Sequence, residues 1–103
     1  MMTLITAEEA KTALLAAVAA GQVEILEPLT RRDWRGPVEP EVRVGAWTLQ
    51  FFIEADAVYD IYAATDPAGR YQEYGHDNDP WDLLTEAERV AVEGAMGCPG
   101  VRA

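Results

Sequence analysis

Few residues of this chain could act in catalysis, and their types exclude the best-known hydrolytic mechanisms. The 103-residue sequence contains no serine, one cysteine and one histidine. A Ser-His-Asp triad is therefore excluded, and the only Cys-His pair is Cys98 with His76. Cys98 precedes Pro99 in a segment that we expect to fray from about residue 97, and a mobile thiol is not held in line with its base. We predict no catalytic residues and no enzyme activity.

Carboxylates are the other groups that could transfer protons. Asp60 lies among Tyr59, Tyr62 and Tyr74 in the sequence, a setting that general acid-base chemistry can use when a pocket shifts the pKa of the acid. Since the chain has 18 acids, neighbouring carboxylates are also expected by chance. An enzyme with a carboxylate site is therefore the third of our functional alternatives.

A metal site is suggested weakly by the segment from His76 to Asp82. Asp77, Asp79 and Glu88 occupy positions one, three and twelve of a calcium-loop count. Asp82, however, stands at the sixth position, where the loop needs glycine for its sharp turn. We predict no metal and no cofactor, while the sequence leaves open whether His76, Asp77 and Asp79 hold an ion.

Negative charge is the strongest signal in the chain. The net charge is −10, and eleven acids against two arginines between residues 54 and 93 give that stretch a net charge of −9. Phosphates and anionic membrane surfaces would be repelled. Basic protein surfaces would be attracted, since charge of this size steers association. We expect a basic protein partner, with neither nucleic acid nor membrane bound directly.

The candidate protein-binding residues are the acids near the middle of this stretch together with one tryptophan. Trp81 is the expected apolar anchor, since interface hot spots favour tryptophan. An alternative role for Trp81 is to hold the last helix against the sheet. The candidates are Asp56, Asp60, Asp66, Glu73, Asp77, Asp79, Trp81 and Asp82.

A basic and aromatic cluster lies outside the acidic stretch. Arg31, Arg32 and Arg35 surround Trp34, a combination that could grip a phosphate or stack on a base. Pairing of these arginines with acids of the chain or of a protein partner is our preferred interpretation. Their role stays open at this stage.

These residues must be positioned by two helices and up to five strands. Thr6 and Glu9 form a capping box that begins a helix over Ala7–Ala20, which Gly21 ends. A last helix opens at Pro80 or Thr85 and runs to Met96. Alternating apolar residues predict strands at 22–29, 38–44, 46–54, 57–65 and 70–74, of which 38–44 is an edge strand because Pro40 interrupts it.

The order of these elements is α-β-β-β-β-β-α, and it predicts an α+β fold. Short turns between neighbouring strands indicate an antiparallel meander of four to five strands, flanked by the N-terminal and the C-terminal helix. Half of the residues are hydrophobic, and 103 residues suffice for one domain but not for two. We expect residues 1–103 to form a single domain.

Three short motifs resemble those of a family of short bacterial domains of unknown function. The motifs are Gly45-Ala46-Trp47-Thr48-Leu49, Asp66-Pro67-Ala68-Gly69-Arg70 and Asp79-Pro80-Trp81-Asp82-Leu83-Leu84-Thr85. The resemblance implies a small α+β domain and brings no catalytic residues. In composition the chain is also similar to small acidic phage-encoded inhibitors such as anti-CRISPR and anti-restriction proteins.

We therefore expect a non-enzymatic binding protein whose carboxylates occupy a basic surface that otherwise holds nucleic acid. The alternatives are an accessory or interaction domain whose acids provide solubility, and an immunity protein that neutralises a basic toxin. A homodimer is compatible with the sequence. A single cysteine and the lack of a basic, apolar leader favour a cytoplasmic location.

Overall fold

The computed structural model describes residues 4–99, which form an antiparallel sheet with helices packed on one face. The five strands lie in the sheet in their order along the chain. The predicted α+β meander with a helix at each end is confirmed. The elements are α1 (Ala7–Ala20), β1 (Val23–Ile25), α2 (Arg31–Arg35), β2 (Glu41–Val44), β3 (Trp47–Glu54), β4 (Ala57–Thr65), β5 (Tyr71–Glu73), a 3-10 helix (Pro80–Leu83) and α3 (Glu86–Met96).

Helix α1 begins and ends where its sequence predicts. The Glu9 amide donates to Thr6 Oγ1 at 3.1 Å, and the Thr6 amide donates to the Glu9 carboxylate at 3.1 Å. Gly21 ends the helix with φ +69°, a conformation that costs glycine little. None of the helices within residues 4–99 has the length and hydropathy needed to span a membrane. The buried face of α1 consists of Ala10, Leu14 and Ala17.

Strand β3 supplies the centre of the core. Leu49, Phe51 and Ile53 alternate along it and are each fully buried against the helices. Burial of three large apolar side chains stabilises the fold by about 1.5–3 kcal/mol each. The residues between them point to the opposite face of the sheet, where Phe52 is half-buried. The alternation predicted for this strand is confirmed.

Strand β4 has the predicted bounds but not the predicted faces. Its pairing with β3 skips Tyr59 and Tyr62, so β4 carries two extra residues opposite register shifts in β3. Each extra residue bends the strand and resets its alternation. Val58, Ile61 and Ala64 therefore share the buried face at a spacing of three residues. A strict alternation, as expected for the predicted strand at 57–65, would place Ile61 on the face opposite Val58 and Ala64, and the two extra residues remove that alternation.

Strand β2 is an interior strand, and not the predicted edge strand. It pairs with β1 on one side and with β3 on the other. Pairing with β3 extends back to Val38, which bridges to Ile53, whereas the hydrogen bonds on the β1 side end at Glu41, whose carbonyl accepts from the Leu26 amide at 3.0 Å. Pro40 lies beyond that limit and accepts a hydrogen bond from the Phe51 amide, with no N–H to return. Of the predicted strand at 38–44, only residues 38–40 are thus paired on one side, as in an edge strand.

Residues 30–37, which lie between two predicted strands, contain the short helix α2. Thr30 and Asp33 form a capping box, in which the Asp33 amide donates to Thr30 Oγ1 at 3.1 Å and the Thr30 amide to the Asp33 carboxylate at 2.8 Å. Trp34 is 2% exposed and joins the core. The burial of Trp34 holds α2 against the sheet, and the stacking of Trp34 on a base, suggested by the sequence, is excluded.

The C-terminal elements use both predicted helix starts. Asp79 caps the 3-10 helix, and its carboxylate accepts from the Trp81 amide at 2.9 Å. Thr85 and Glu88 then form the capping box of α3. Helix α3 ends at Gly97, which has φ +79°.

The segment after α3 does not fray at once. Cys98 is 2% exposed, and its thiol donates to the Asp56 carbonyl oxygen at 3.0 Å. Its amide donates to the Glu93 carbonyl at 2.9 Å. The tail that we predicted from about residue 97 is therefore docked at Cys98, and residues 100–103 lie outside the described part of the chain.

Candidate protein-binding face

The face of the sheet opposite the helices gathers carboxylates from three strands. Glu41 pairs with Gln50, Gln50 with Ala63, and Ala63 with Glu73, which places Glu41 and Glu73 in one row across the sheet. Four strands at the usual spacing make this row about 14 Å long. Both side chains are exposed.

A second row runs beside the first. Phe52 pairs with Asp60, and Glu39 lies next to Phe52 because it sits between the Val38–Ile53 bridge and the pairing at Glu41. The two rows together form what we call the acidic sheet face. It consists of Glu39, Glu41, Asp60 and Glu73.

Tyr62 lies at the centre of the acidic sheet face. Burial raises the pKa of its hydroxyl, and the negative charges of the four carboxylates raise that pKa further. All four acids thus lie close enough to Tyr62 to influence its pKa. The extra residue in β4 at this position gives Tyr62 its place on the outer side of the sheet.

Electrostatic neutralisation of this face within the chain is weak. Among residues 4–99, no arginine, lysine or histidine nitrogen lies within 4.0 Å of the carboxylates of the four acids. Arg43, two residues from Glu41 on β2, pairs instead with Glu24 at 3.5 Å. Glu73 accepts a hydrogen bond from the Tyr71 hydroxyl at 3.0 Å. The face therefore keeps most of its negative field.

Asp60 is the least solvated acid of the face. Burial raises the pKa of its carboxyl group, the charge of His76 lowers it, and the charges of Asp82 and Glu39 raise it again. Its Oδ1 atom is buried and has no hydrogen-bond partner within the described residues. Asp82, on the 3-10 helix, is close enough to raise the pKa of Asp60, although its own carboxylate lies 3.7 Å from the Arg89 guanidinium group.

A pocket of about 150 Å³ opens beside Asp60. It is smaller than the roughly 300–1,000 Å³ of typical small-molecule sites. Its size suits one functional group of a larger molecule. The lining comprises residues 60–62 of β4, residues 74–76 and Asp79.

Three of the eight predicted binding residues come together here. Asp60 and Glu73 belong to the acidic sheet face, and Asp82 adjoins it through its interaction with Asp60. Asp77 is exposed in the loop before the 3-10 helix. Asp56 lies in the turn between β3 and β4, where its amide donates to the Trp34 carbonyl. Asp56 thus lies immediately before β4, four residues before Asp60, and does not belong to the acidic sheet face.

Asp66 has a structural role and is not available to a partner. It is 6% exposed and accepts hydrogen bonds from the Ala68 and Arg70 amides and from the Arg70 guanidinium group. Burial alone would raise the pKa of Asp66, but the hydrogen bonds and charge of Arg70 outweigh it and hold the pKa below its usual range. Asp66 closes the predicted turn, in which the Gly69 amide donates to the Asp66 carbonyl.

Asp79 is also engaged within the fold. It is 8% exposed, and its Oδ1 accepts from the Ile61 amide at 3.1 Å and from the Trp81 amide at 2.9 Å. Burial raises the pKa of Asp79, and these two hydrogen bonds partly oppose that effect. The carboxylate joins β4 to the 3-10 helix, so Asp79 is corrected from a contact residue to a structural one.

Trp81 does not project from the surface as an anchor. It is 4% exposed, meets Phe51 edge-to-face at 6.4 Å between ring centroids, and carries the Arg89 guanidinium 5.6 Å from its own ring centre. The alternative role is the one observed: Trp81 fastens the C-terminal elements to the sheet. Phe51 and Arg89 supply the contacts on its two sides.

Glu39 and Glu41 were missed by the sequence reasoning. They lie in the half of the chain with little net charge, whereas the search centred on residues 54–93. A signal was available, because both glutamates alternate with valines in a strand that a meander must place next to β3. The order in which the strands pair, and not the local density of charge, predicts where these two glutamates lie.

The arginines of α2 are exposed. Among the described residues, the other three arginines lie within 4.0 Å of a carboxylate, whereas Arg31, Arg32 and Arg35 do not. Their side chains are the part of the molecule with locally positive charge.

No metal site or nucleophilic pair emerges within residues 4–99. No three His, Cys, Asp or Glu side chains in that range are arranged to hold a metal ion. Asp79 and Glu88, two of the calcium-loop positions, are occupied with helix capping. Cys98 is buried against Asp56, while His76 is exposed beside Asp60.

Comparisons of the chain with protein-family models, with curated proteins and with solved structures found no match. The resemblance to short bacterial domains stays a prediction.

Proposed function

We propose that this protein is a non-enzymatic binding protein that presents its acidic sheet face to a basic surface of another protein. The observation that carries the proposal is the gathering of Glu39, Glu41, Asp60 and Glu73 around Tyr62, with no cation within 4.0 Å among the described residues. Carboxylates left unneutralised on a rigid sheet attract basic partners and orient them.

The partner that fits this face is a protein that binds nucleic acid. Lysines and arginines that hold phosphates are spaced over a surface, and a row of carboxylates about 14 Å long can occupy several of them at once. Such a competitor would block nucleic-acid binding in the cytoplasm, as an anti-restriction or anti-CRISPR inhibitor does. An immunity protein against a basic toxin would use the same attraction.

An enzyme is not favoured. The pocket beside Asp60 does contain two carboxyl groups with raised pKa, as a carboxylate enzyme requires. Asp79 is nevertheless bound to two backbone amides, and the volume is too small for most substrates. An accessory domain whose acids only provide solubility is the second alternative, and it predicts no selective partner.

Affinity capture with two matched variants tests the proposal. The face variant carries Glu39→Gln, Glu41→Gln and Glu73→Gln. The control variant carries Glu8→Gln, Glu54→Gln and Glu86→Gln, which remove the same charge from exposed positions on α1, at the end of β3 and on α3. Each immobilised protein is exposed to extract of its own cell at about 0.1 M salt and at about 1 M salt, where the Debye length falls from about 10 Å to about 3 Å.

We expect the wild type and the control variant to retain the same nucleic-acid-binding protein at low salt and to lose it at high salt. The face variant should not retain it. The purified partner should then bind nucleic acid less well in the presence of the wild type. Equal capture by the face and control variants, or no basic protein captured by the wild type, would refute the proposal.

A further inference from the structure

The pocket beside Asp60 combines a concave shape with a buried carboxylate oxygen that has no hydrogen-bond partner within the described residues. It is concave, about 150 Å³ in volume, and bounded by Tyr62 and Tyr74 as well as by Asp60 and Asp79. The Tyr74 hydroxyl donates to the carbonyl oxygen of Ile5 at 3.2 Å, which fixes its ring. One wall of the pocket is thus held to the segment that precedes α1.

This recess exists because β5 ends before β4 does. The last strand contact is the hydrogen bond from the Tyr74 amide to the Tyr62 carbonyl at 2.8 Å. The chain then turns through Gly75 and returns at Asp79, whose carboxylate takes the Ile61 amide that a longer β5 would have bound. Side chains, and not a strand, therefore surround this part of β4.

Asp60 brings an unpaired carboxylate oxygen to this recess. Its Oδ1 is out of contact with water and has no donor within the described residues. The cost of desolvating this oxygen atom has thus already been incurred when the protein folds, while Asp60 as a whole is only partly buried and lines the pocket. A cation in the pocket would therefore be attracted to a carboxylate that is already partly desolvated, which favours a net gain in affinity.

We propose that this pocket receives the cationic head group, an ammonium or a guanidinium, of a single lysine or arginine side chain from the partner. The inference rests on the proposed function and identifies the point at which the acidic sheet face would recognise its partner in detail. The row from Glu41 to Glu73 would supply attraction at longer range, and the pocket would fix the register.

The chemistry of the lining favours a cation over other groups. Asp60 and Asp79 exclude anions, and an uncharged apolar group would leave Asp60 unpaired. Tyrosine rings attract cations that approach their faces, by about 0.5–1 kcal/mol at exposed sites. His76 also lines this pocket, but it is exposed and its ring nitrogens lie beyond 4.0 Å from the Asp60 carboxylate.

NMR titration of the intact protein tests the pocket without knowledge of the partner. The probes are n-butylammonium and methylguanidinium, which imitate lysine and arginine head groups, with n-butanol as the neutral control. Spectra are recorded for the wild type, for Asp60→Asn and for Glu41→Gln, which removes one charge from the same face outside the pocket.

We expect saturable shifts of the amide signals of Ile61, Gly75 and His76 with one or both cations and none with butanol. Asp60→Asn should weaken binding about tenfold, equivalent to one lost charge-assisted contact, whereas Glu41→Gln should change it by less than about twofold. Tyr62→Leu, which keeps the charge and removes a ring, should also weaken binding. Equal effects of Asp60→Asn and Glu41→Gln on cation binding, or shifts that never saturate, would overturn the proposal that the pocket binds a cation.

The outcome also separates this inference from the proposed function. If the captured partner is lost by the face variant but retained by Asp60→Asn, the face binds the partner and the pocket inference fails. If the cations bind at the pocket but no basic protein is captured, the pocket stands and the proposed function fails.

Discussion

The carboxylates along the edge of β4 and those of the acidic sheet face have the same chemistry and different surroundings. At the edge, Asp79 accepts from the Ile61 amide at 3.1 Å and Glu93 accepts from the Val58 amide at 2.9 Å. On the acidic sheet face, the buried Asp60 Oδ1 has no donor within residues 4–99, and Glu73 accepts from the Tyr71 hydroxyl at 3.0 Å.

The difference separates acids that hold the fold from acids that remain available to a partner. Beyond β5, the edge of β4 would expose unpaired amides, which both destabilise a sheet and invite aggregation. Carboxylates from the C-terminal elements close that edge. The acids on the outer face do nothing comparable, so their loss should be tolerated by the fold. Four predictions test this contrast.

The largest effect should follow loss of the Asp79 carboxylate. Asp79→Ala leaves the Ile61 and Trp81 amides without their acceptor and removes a helix cap, which should lower the free energy of unfolding by about 2–4 kcal/mol. Asp79→Asn keeps one acceptor oxygen and should lose less than half as much. Urea denaturation followed by circular dichroism measures both, and equal losses would contradict the hydrogen-bond explanation.

Loss of the Glu93 carboxylate should have the next largest effect. Glu93→Ala removes the acceptor of the Val58 amide and should lower the free energy of unfolding by about 1–2 kcal/mol. Hydrogen exchange at Val58 should accelerate as well. Glu86→Ala, at an exposed position of the same helix, serves as the control and should leave Val58 exchange unchanged. Slow exchange at Val58 in the Glu93 variant would show that another group protects this amide.

Replacement of Asp60 should have the opposite effect on stability to replacement of Asp79 or Glu93. Because its pKa is raised above 3.8 in the folded protein, its contribution to stability is fully present below about pH 3.8 and is lost as pH rises through the folded pKa. Asp60→Asn should therefore be neutral or stabilising near pH 7, by up to about 0.5 kcal/mol. Denaturation of both proteins near pH 4 and near pH 7 checks this, and destabilisation of the variant at the higher pH would contradict it.

The smallest effect concerns Glu39 and Glu41. Replacement of both by glutamine should alter the free energy of unfolding by less than about 0.5 kcal/mol. The same change should lower the pKa of Tyr62, which burial raises first and these glutamates raise next. NMR of the tyrosine ring during an alkaline titration measures that pKa. An unchanged value would mean that the two glutamates do not face Tyr62.

Local sequence signals predicted most of the helices and strands. The features that depend on pairing between distant residues were not predicted. The capping boxes at Thr6 and Thr85 and the turn at Asp66 were readable, because each depends on residues within four positions. The two extra residues of β4 were not, since Tyr59 and Tyr62 suit a strand on either face. The capping box of α2 was not predicted, because its fourth residue, Asp33, is an aspartate and not a glutamate.

The candidate site was harder to predict than the fold, for a physical reason. Charge density along the chain identified Asp60, Glu73 and Asp82, but it also selected Asp66 and Asp79, whose carboxylates bind backbone amides. Whether a carboxylate faces solvent or an amide depends on neighbours that are distant in sequence. No count of acids contains that information.

Because Cys98 is docked on Asp56, its thiol can report on slow separation of the end of α3 from the rest of the protein. The thiol is the only one in the chain and is shielded from solvent, so a thiol reagent can react with it only after the end of α3 separates from the turn between β3 and β4. The rate of labelling, relative to that of an exposed thiol, gives the equilibrium for this opening. The event can thus be timed in the unmodified protein, with and without a bound partner.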